Sequence, residues 1–156
     1  AGLVAISAPC AYVAPWAAVL IGFIGSILYL ISVWIIANKF KVDDPLGACS
    51  VHGTNGIWGL IALGIFADGS YGGVSGVITG QYGQLFSQLI AAGVAFAWAG
   101  GLSFVIFSML RGSKGNSKMR VSEDVEKEGL DINIHGTACY PSQEFQGIGK
   151  IQGAVA

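Results

Sequence analysis

The sequence predicts an all-α integral membrane protein with three transmembrane helices and a polar C-terminal tail, and three observations carry that prediction. Hydrophobic residues make up 53% of the 156-residue chain. Charged residues make up only 11%, against roughly 25% in ordinary soluble domains. The few charges are also segregated: no Asp, Glu, Lys or Arg occurs from Ala1 to Asn38, from Pro45 to Ala67, or from Gly69 to Leu110. Uncharged apolar runs of about 20 residues are what a bilayer-spanning helix needs, and a soluble core of this size has no use for three of them.

Residues 1–13, AGLVAISAPCAYV, are apolar but too short to cross ~30 Å of hydrocarbon. They lack an initiator Met and a basic n-region, so a signal peptide is a poor reading. They read as the end of a preceding membrane helix and its loop, which makes the sequence look like the C-terminal part of a longer polypeptide. The first full span is 14–38, with Trp16 and Trp34 near its ends, where amphipathic rings favour the membrane interface. A short loop, 39–44, carries Lys39 and Lys41. The second span, 45–67, opens on a helix-start signal: Asp44 can cap it, and Pro45 suits the first helical position, where no backbone donor is required. A Gly-rich loop without Lys or Arg, 68–83, leads to the third span, 84–110.

The tail, 111–156, begins RGSKGNSKMR, with four basic residues in ten. Lys39 and Lys41 therefore share a side with Arg111, Lys114, Lys118 and Arg120, and the positive-inside rule makes that side cytoplasmic. The Gly-rich loop is then external and the tail internal. With a formal net charge of −1 and no broad basic face, nucleic acid is not an expected partner. Cys10, Cys49 and Cys139 are odd in number and widely spaced, which argues against a disulfide framework and a structural zinc site.

His52 is the residue that asks for a function. At 1.5 Å per residue, eight residues past Asp44 puts it about 12 Å along a continuous helix, near the middle of the hydrocarbon. Ionisable groups at that depth usually face a cavity, a pathway or a partner, and imidazole suits proton exchange near neutral pH. Asn55, Gly56 and Gly59 follow at three, four and seven residues, so the spacing puts them on the His52 face. Glycines there allow a neighbouring helix to approach closely, and Gly22, Gly25, Gly100 and Gly101 suggest tight packing of the other spans. The bland alternative is that His52 donates one hydrogen bond to a neighbouring carbonyl. Cys49 and His52 lie at i and i+3, but two ligands do not complete a metal or haem site, and no cofactor is expected. Trp58, Trp98, Phe86, Phe96, Phe104 and Phe107 read as packing residues. His135, in the polar tail, reads as exposed or locally hydrogen-bonded. No nucleophile–base set appears, so an enzyme is not expected.

The run KVDDPLGACSVHGTNGIWGLIALGIFADG resembles the tenth helix of the ammonium transporters, the Amt/Mep/Rh superfamily, where the pattern is close to DDPxGAxxVHGxxGIWG. AGLVAISAPCAYVAPWAAVLIG is similar to that family's eighth-to-ninth helix region, and QLIAAGVAFAWAGGLSFVIF to its eleventh. MRVSEDVEKEGLDINIHGTACYP is similar to its cytoplasmic tail, LRVxxxxExxGLDxxxHGExAY, which includes Arg120, Gly129, Asp131 and His135; it favours the Amt branch. HGT at His135–Thr137 stands where HGE is usual, and Ala8-Pro9-Cys10 departs from the commoner pattern.

The resemblance implies the last three of eleven helices around a narrow apolar pore, in a homotrimer with one pore per protomer. It implies that His52 is one of two facing pore histidines, with Ser7 and Ala48 near the pore wall. The substrate implied is ammonium or ammonia, in a cell membrane, with a soluble PII-type regulator at the cytoplasmic face near 39–44 and the tail. An ammonium sensor and a non-transporting structural subunit are the alternatives; the tail after Ser142 is too short for a signalling domain.

Overall fold

The computed structural model describes residues 1–111 and 121–137. Its regular structure is helical, with no strand among the described residues beyond one isolated bridge between Asp68 and Ser75. The chain divides into two compact units, one of Ala1–Ser103 and one beginning at Phe104.

In the first unit a short helix, α1 (Gly2–Ser7), precedes the long α2 (Pro15–Asn38). Pro15 occupies the first helical position of α2 after an extended Ala14, where its missing N–H costs nothing. At the other end, Ile35 O accepts from Lys39 N and Phe40 N, and Ile36 O accepts from Val42 N, so two of the four closing carbonyls find backbone donors. Lys39 Nζ sits 5.8 Å from the centroid of the Trp34 ring, a cation–π contact that suits a membrane interface. A second long helical segment, Cys49–Phe66, consists of a π-helical turn, Cys49–Thr54, followed by α3 (Asn55–Phe66). The helix α4 (Gly83–Leu110) follows a loop that closes through Gly76 N to Ala67 O, 2.7 Å, and a single 3-10 turn at Val77–Thr79. α2, Cys49–Phe66 and α4 are each long and apolar enough to cross a membrane.

The second span does not begin as the sequence suggests. Pro45 is not at the first helical position; it lies in a turn closed by Gly47 N to Asp44 O, 3.0 Å, with Gly47 at φ +65°. Asp44 reaches over that turn, and its two carboxylate oxygens accept from Ala48 N and Cys49 N, each at 2.8 Å. The helix therefore starts about three residues later than a proline at its first position requires. Residues 44–47 turn instead of rising helically, so the 12 Å reckoned for His52 from Asp44 shrinks to roughly 6 Å of helix counted from Ala48.

The packing centre is where α1, α2 and α3 meet. Ala5, Ala17, Ile21 and Ala62 are fully buried there, with Trp58 and Phe66 packed against them. Apolar burial does little to drive helices together in lipid, which is as apolar as the side chains, so close backbone approach and hydrogen bonds take over. Gly59 provides the closest approach: a Cβ there would stand 2.6 Å from the Ala5 carbonyl oxygen. Gly25 is similar, its would-be Cβ 2.7 Å from Asn55 Oδ1 and 2.9 Å from Ala5 Cβ. Gly22, Gly100 and Gly101 have open space instead, so the tight packing suggested for them is found only at Gly25. The Trp58 indole N–H donates to Ile21 O at 3.0 Å across the α2–α3 contact. Hydroxyls within the apolar helices donate back to their own backbone, as Ser26 does to Gly22 O at 3.0 Å and Ser87 to Gly83 O at 3.1 Å.

The second unit includes a helical turn and a half, α5 (Glu123–Glu128), with Ser122 before it, and a π-helical turn at Asp131–His135. Lys127 and Glu123 pair at 2.7 Å on its exposed surface, a contact of little energetic weight.

Two stability predictions follow from the packing and the cap. Gly59→Ala in the full-length polypeptide lowers the melting temperature in detergent, by the equivalent of about 1–3 kcal/mol for overpacking, whereas Gly56→Ala, whose Cβ would meet nothing within 4 Å, does not. Asp44→Ala costs about 1–2 kcal/mol through the lost cap, and Asp44→Asn, which keeps one acceptor, recovers part of it; equal melting for all three proteins would contradict the cap.

Candidate functional site

His52 is carried by the π-helical turn, not by a regular α-helix, and that changes what it faces. In an α-helix residues three and four apart share a face. A π-helical turn holds more residues, so neighbours along the axis fall four to five apart. The side chains sort accordingly. Asn55 and Gly59 are buried against α1 and α2, while His52 and Gly53 are exposed on the other side with Ile57. The single face that the sequence spacing assigns to His52, Asn55, Gly56 and Gly59 is thus split in two: Asn55 and Gly59 turn to the packed side and His52 and Gly56 to the other, and the wider π-helical turn sets His52 further from Asn55 than 3.6 residues per turn would.

The turn has a buried support. Asn55, fully buried, donates from Nδ2 to Ser50 O at 3.0 Å, spanning five residues. Ser50 Oγ and Asn55 Oδ1 are buried without a hydrogen-bond partner among the described residues.

On its exposed side the turn forms one wall of an open hollow of about 670 Å³. Cys49, His52, Gly56 and Leu60 line that wall, and Ala95, Phe96, Ala99 and Ser103 of α4 line the other. The two helices meet where Gly64 lies against Leu85, a Cβ on Gly64 standing 2.7 Å from Leu85 Cα, and the hollow lies between them beyond that contact. Its lining is apolar apart from an imidazole, a thiol and a hydroxyl. Such a wall offers little to a hydrated ion, and it offers one strong hydrogen-bonding ring to a neutral molecule.

Ser7 and Ala48 are not brought to this hollow. Ser7 is exposed and donates to Leu3 O at 2.7 Å; Ala48 is exposed, and its amide is held by Asp44. Cys49 and His52 do share the wall, but the described residues contain no group of three His, Cys, Asp or Glu able to hold a metal. In the second unit, Asp131 opens the π-helical turn that His135 closes, both exposed, after Gly129 at φ +101°. Arg120 lies outside the described residues. Of the aromatic residues expected to pack, Trp58 does and Phe96 lines the hollow, whereas Phe86, Trp98, Phe104 and Phe107 are exposed on α4. Of the small residues of α4 that form the second wall, only Gly100 was singled out by sequence. The spacing of the others, Ala92, Ala95, Ala99 and Ser103, is the signal that marks them.

Comparison with known proteins agrees with the helices and the motif. The model of the Ammonium Transporter Family matches residues 1–140. The chain is 48% identical over 149 residues to "Ammonium transporter Amt2" of Archaeoglobus fulgidus, covering 91% of this chain and 31% of that protein. It is 38% identical to "Ammonium transporter 3" of Dictyostelium discoideum, covering 90% and 33%, and 34% identical to "Ammonium transporter" of Bacillus subtilis, covering 90% and 34%. The chain spans about a third of the length of these relatives. An integral membrane protein by its helices and its relatives alike, the chain belongs to the ammonium transporter family, whose members are named as transporters and not as enzymes.

Proposed function

We propose that this chain forms part of a pathway that carries ammonium across a membrane as neutral ammonia, with His52 facing that pathway. The observation that supports it most is the placement of an imidazole on the wall of an otherwise apolar hollow between two membrane-length helices. Taking a full cation out of water into such surroundings costs several kcal/mol, and potassium has no way to avoid that cost. Ammonium has one: it leaves a proton behind, crosses as ammonia and is reprotonated on the far side. Within the hollow the His52 ring accepts a hydrogen bond from ammonia through its bare nitrogen or donates one through its N–H.

The family resemblance extends the proposal. A second histidine faces His52 from a part of the family sequence outside this chain, and three protomers assemble with one pathway each. The basic loop at 39–44 and the tail lie on the cytoplasmic side of a cell membrane, where a PII-type protein docks.

The test is His52→Ala in the full-length polypeptide, with ammonium uptake and potassium competition measured at matched surface abundance. Loss of one hydrogen bond to the substrate lowers uptake by about tenfold, and potassium begins to compete. Unchanged uptake and unchanged selectivity would refute the role of His52.

A further inference from the structure

We infer that Asn55 is a positioning residue for His52: its side-chain amide holds the π-helical turn in the register that aims the imidazole into the hollow. The inference rests on the pathway role proposed for His52, and four observations carry it.

First, the turn that bears His52 is π-helical, a rare geometry that an unsupported chain has no reason to prefer over the α-helix. Second, Asn55 Nδ2 donates to Ser50 O at 3.0 Å, a bond that spans the turn from the first residue of α3 to the second residue of the turn. Third, Asn55 is fully buried and hemmed in. Its Oδ1 would be 2.7 Å from a Cβ on Gly25, so α2 approaches closely enough at that glycine to keep the amide in place. Fourth, the indole of Trp58, three residues on, is fastened to α2 through Ile21 O at 3.0 Å, which fixes the start of α3 against which the turn is registered.

His52 lies between the two ends of the Asn55–Ser50 bond. If the turn relaxed to α-helix, one residue of extra length would have to be absorbed, and the segment before it would rotate by about 100° relative to α3. His52, midway along the turn, would rotate by about half as much, away from the line of Leu60 and toward Gly59, whose face is packed against Ala5.

The side chain is not explained by fold stability alone. Asn55 Oδ1 is a buried acceptor without a donor among the described residues, so replacing the amide by leucine, of similar volume, removes an unpaired acceptor along with the hydrogen bond. The two effects oppose each other in stability. They do not oppose each other in the register of the turn.

The experiment is a double-mutant cycle in the full-length polypeptide, using Asn55→Leu, His52→Ala and the pair, with ammonium uptake and potassium competition measured at matched surface abundance. Asn55→Leu is expected to lower uptake about tenfold and admit potassium competition, as His52→Ala does, while the pair is no worse than His52→Ala within about twofold. That non-additivity is the signature of one residue acting through another. Losses that multiply in the pair, or wild-type uptake and selectivity for Asn55→Leu, overturn the inference. Asn55→Ser replaces Asn55→Leu if the latter fails to reach the membrane, and failure of both to assemble overturns it too, since Asn55 is then a folding residue. His52→Ala without effect removes the pathway role itself, and with it the inference.

Discussion

The register of one turn decides where the imidazole of His52 points. Between Cys49 and Thr54 the backbone takes a π-helical path, and that path carries His52 to one of the two distinct sides of the helix. Asn55, Gly59 and Ala62 go to the inside, where Gly59 meets the Ala5 carbonyl and the helices α1, α2 and α3 lock together. His52, Gly56 and Leu60 go to the hollow. A regular α-helix through the same residues would swing His52 closer to the packed face that carries Asn55 and Gly59. The turn therefore separates the structural and the chemical duties of a segment with very few polar residues.

The surroundings make that separation demanding. In lipid no water is available to satisfy a stray backbone or side-chain group, so each polar atom in a span must find a protein partner or open onto a cavity. Most polar atoms here follow that rule locally. Ser26 and Ser87 donate to carbonyls four residues back, Asn38 donates to Trp34 O at 2.9 Å, and Trp58 bridges to Ile21 O. Asp44 accepts two backbone N–H groups at the end of the span, where water is near. His52 is different in having a cavity to face. Small residues on α4 leave that space open, since Ala95, Ala99 and Ser103 project too little to fill it.

The architecture was legible because it depends on composition and length. Three charge-free runs demanded three long helices, and three long helices are present. The DDPxGAxxVHGxxGIWG pattern and the tail motif were enough to identify the family. The finer geometry was not legible, for a physical reason. Helical wheels assume 3.6 residues per turn, and no residue in CSVHGT announces a departure from that value. The departure is braced by the Asn55–Ser50 bond and by contacts distant in sequence, at Gly25 and Ile21, against Asn55 and Trp58. Pro45 misled in a similar way. It is a good first residue for a helix, but Gly47, with φ of +65°, makes a turn possible first, and Asp44 caps from beyond it. The aromatic residues of α4 illustrate the converse: apolar periodicity says that a side chain avoids water, and not whether it meets protein or lipid.

The most direct measurement of the two-sided helix is site-directed cysteine labelling of the full-length polypeptide in sealed membranes, with its native cysteines, Cys10, Cys49 and Cys139 among them, first replaced by serine. Single cysteines at positions 52, 55, 56 and 59 are exposed to a small water-soluble thiol reagent. Reaction at 52 and 56 with protection at 55 and 59 is the predicted pattern, since the first two face the hollow and the others face the packed interior. Reaction at 52, 55 and 59 together, the pattern of an unbroken α-helix with one open face, would contradict it.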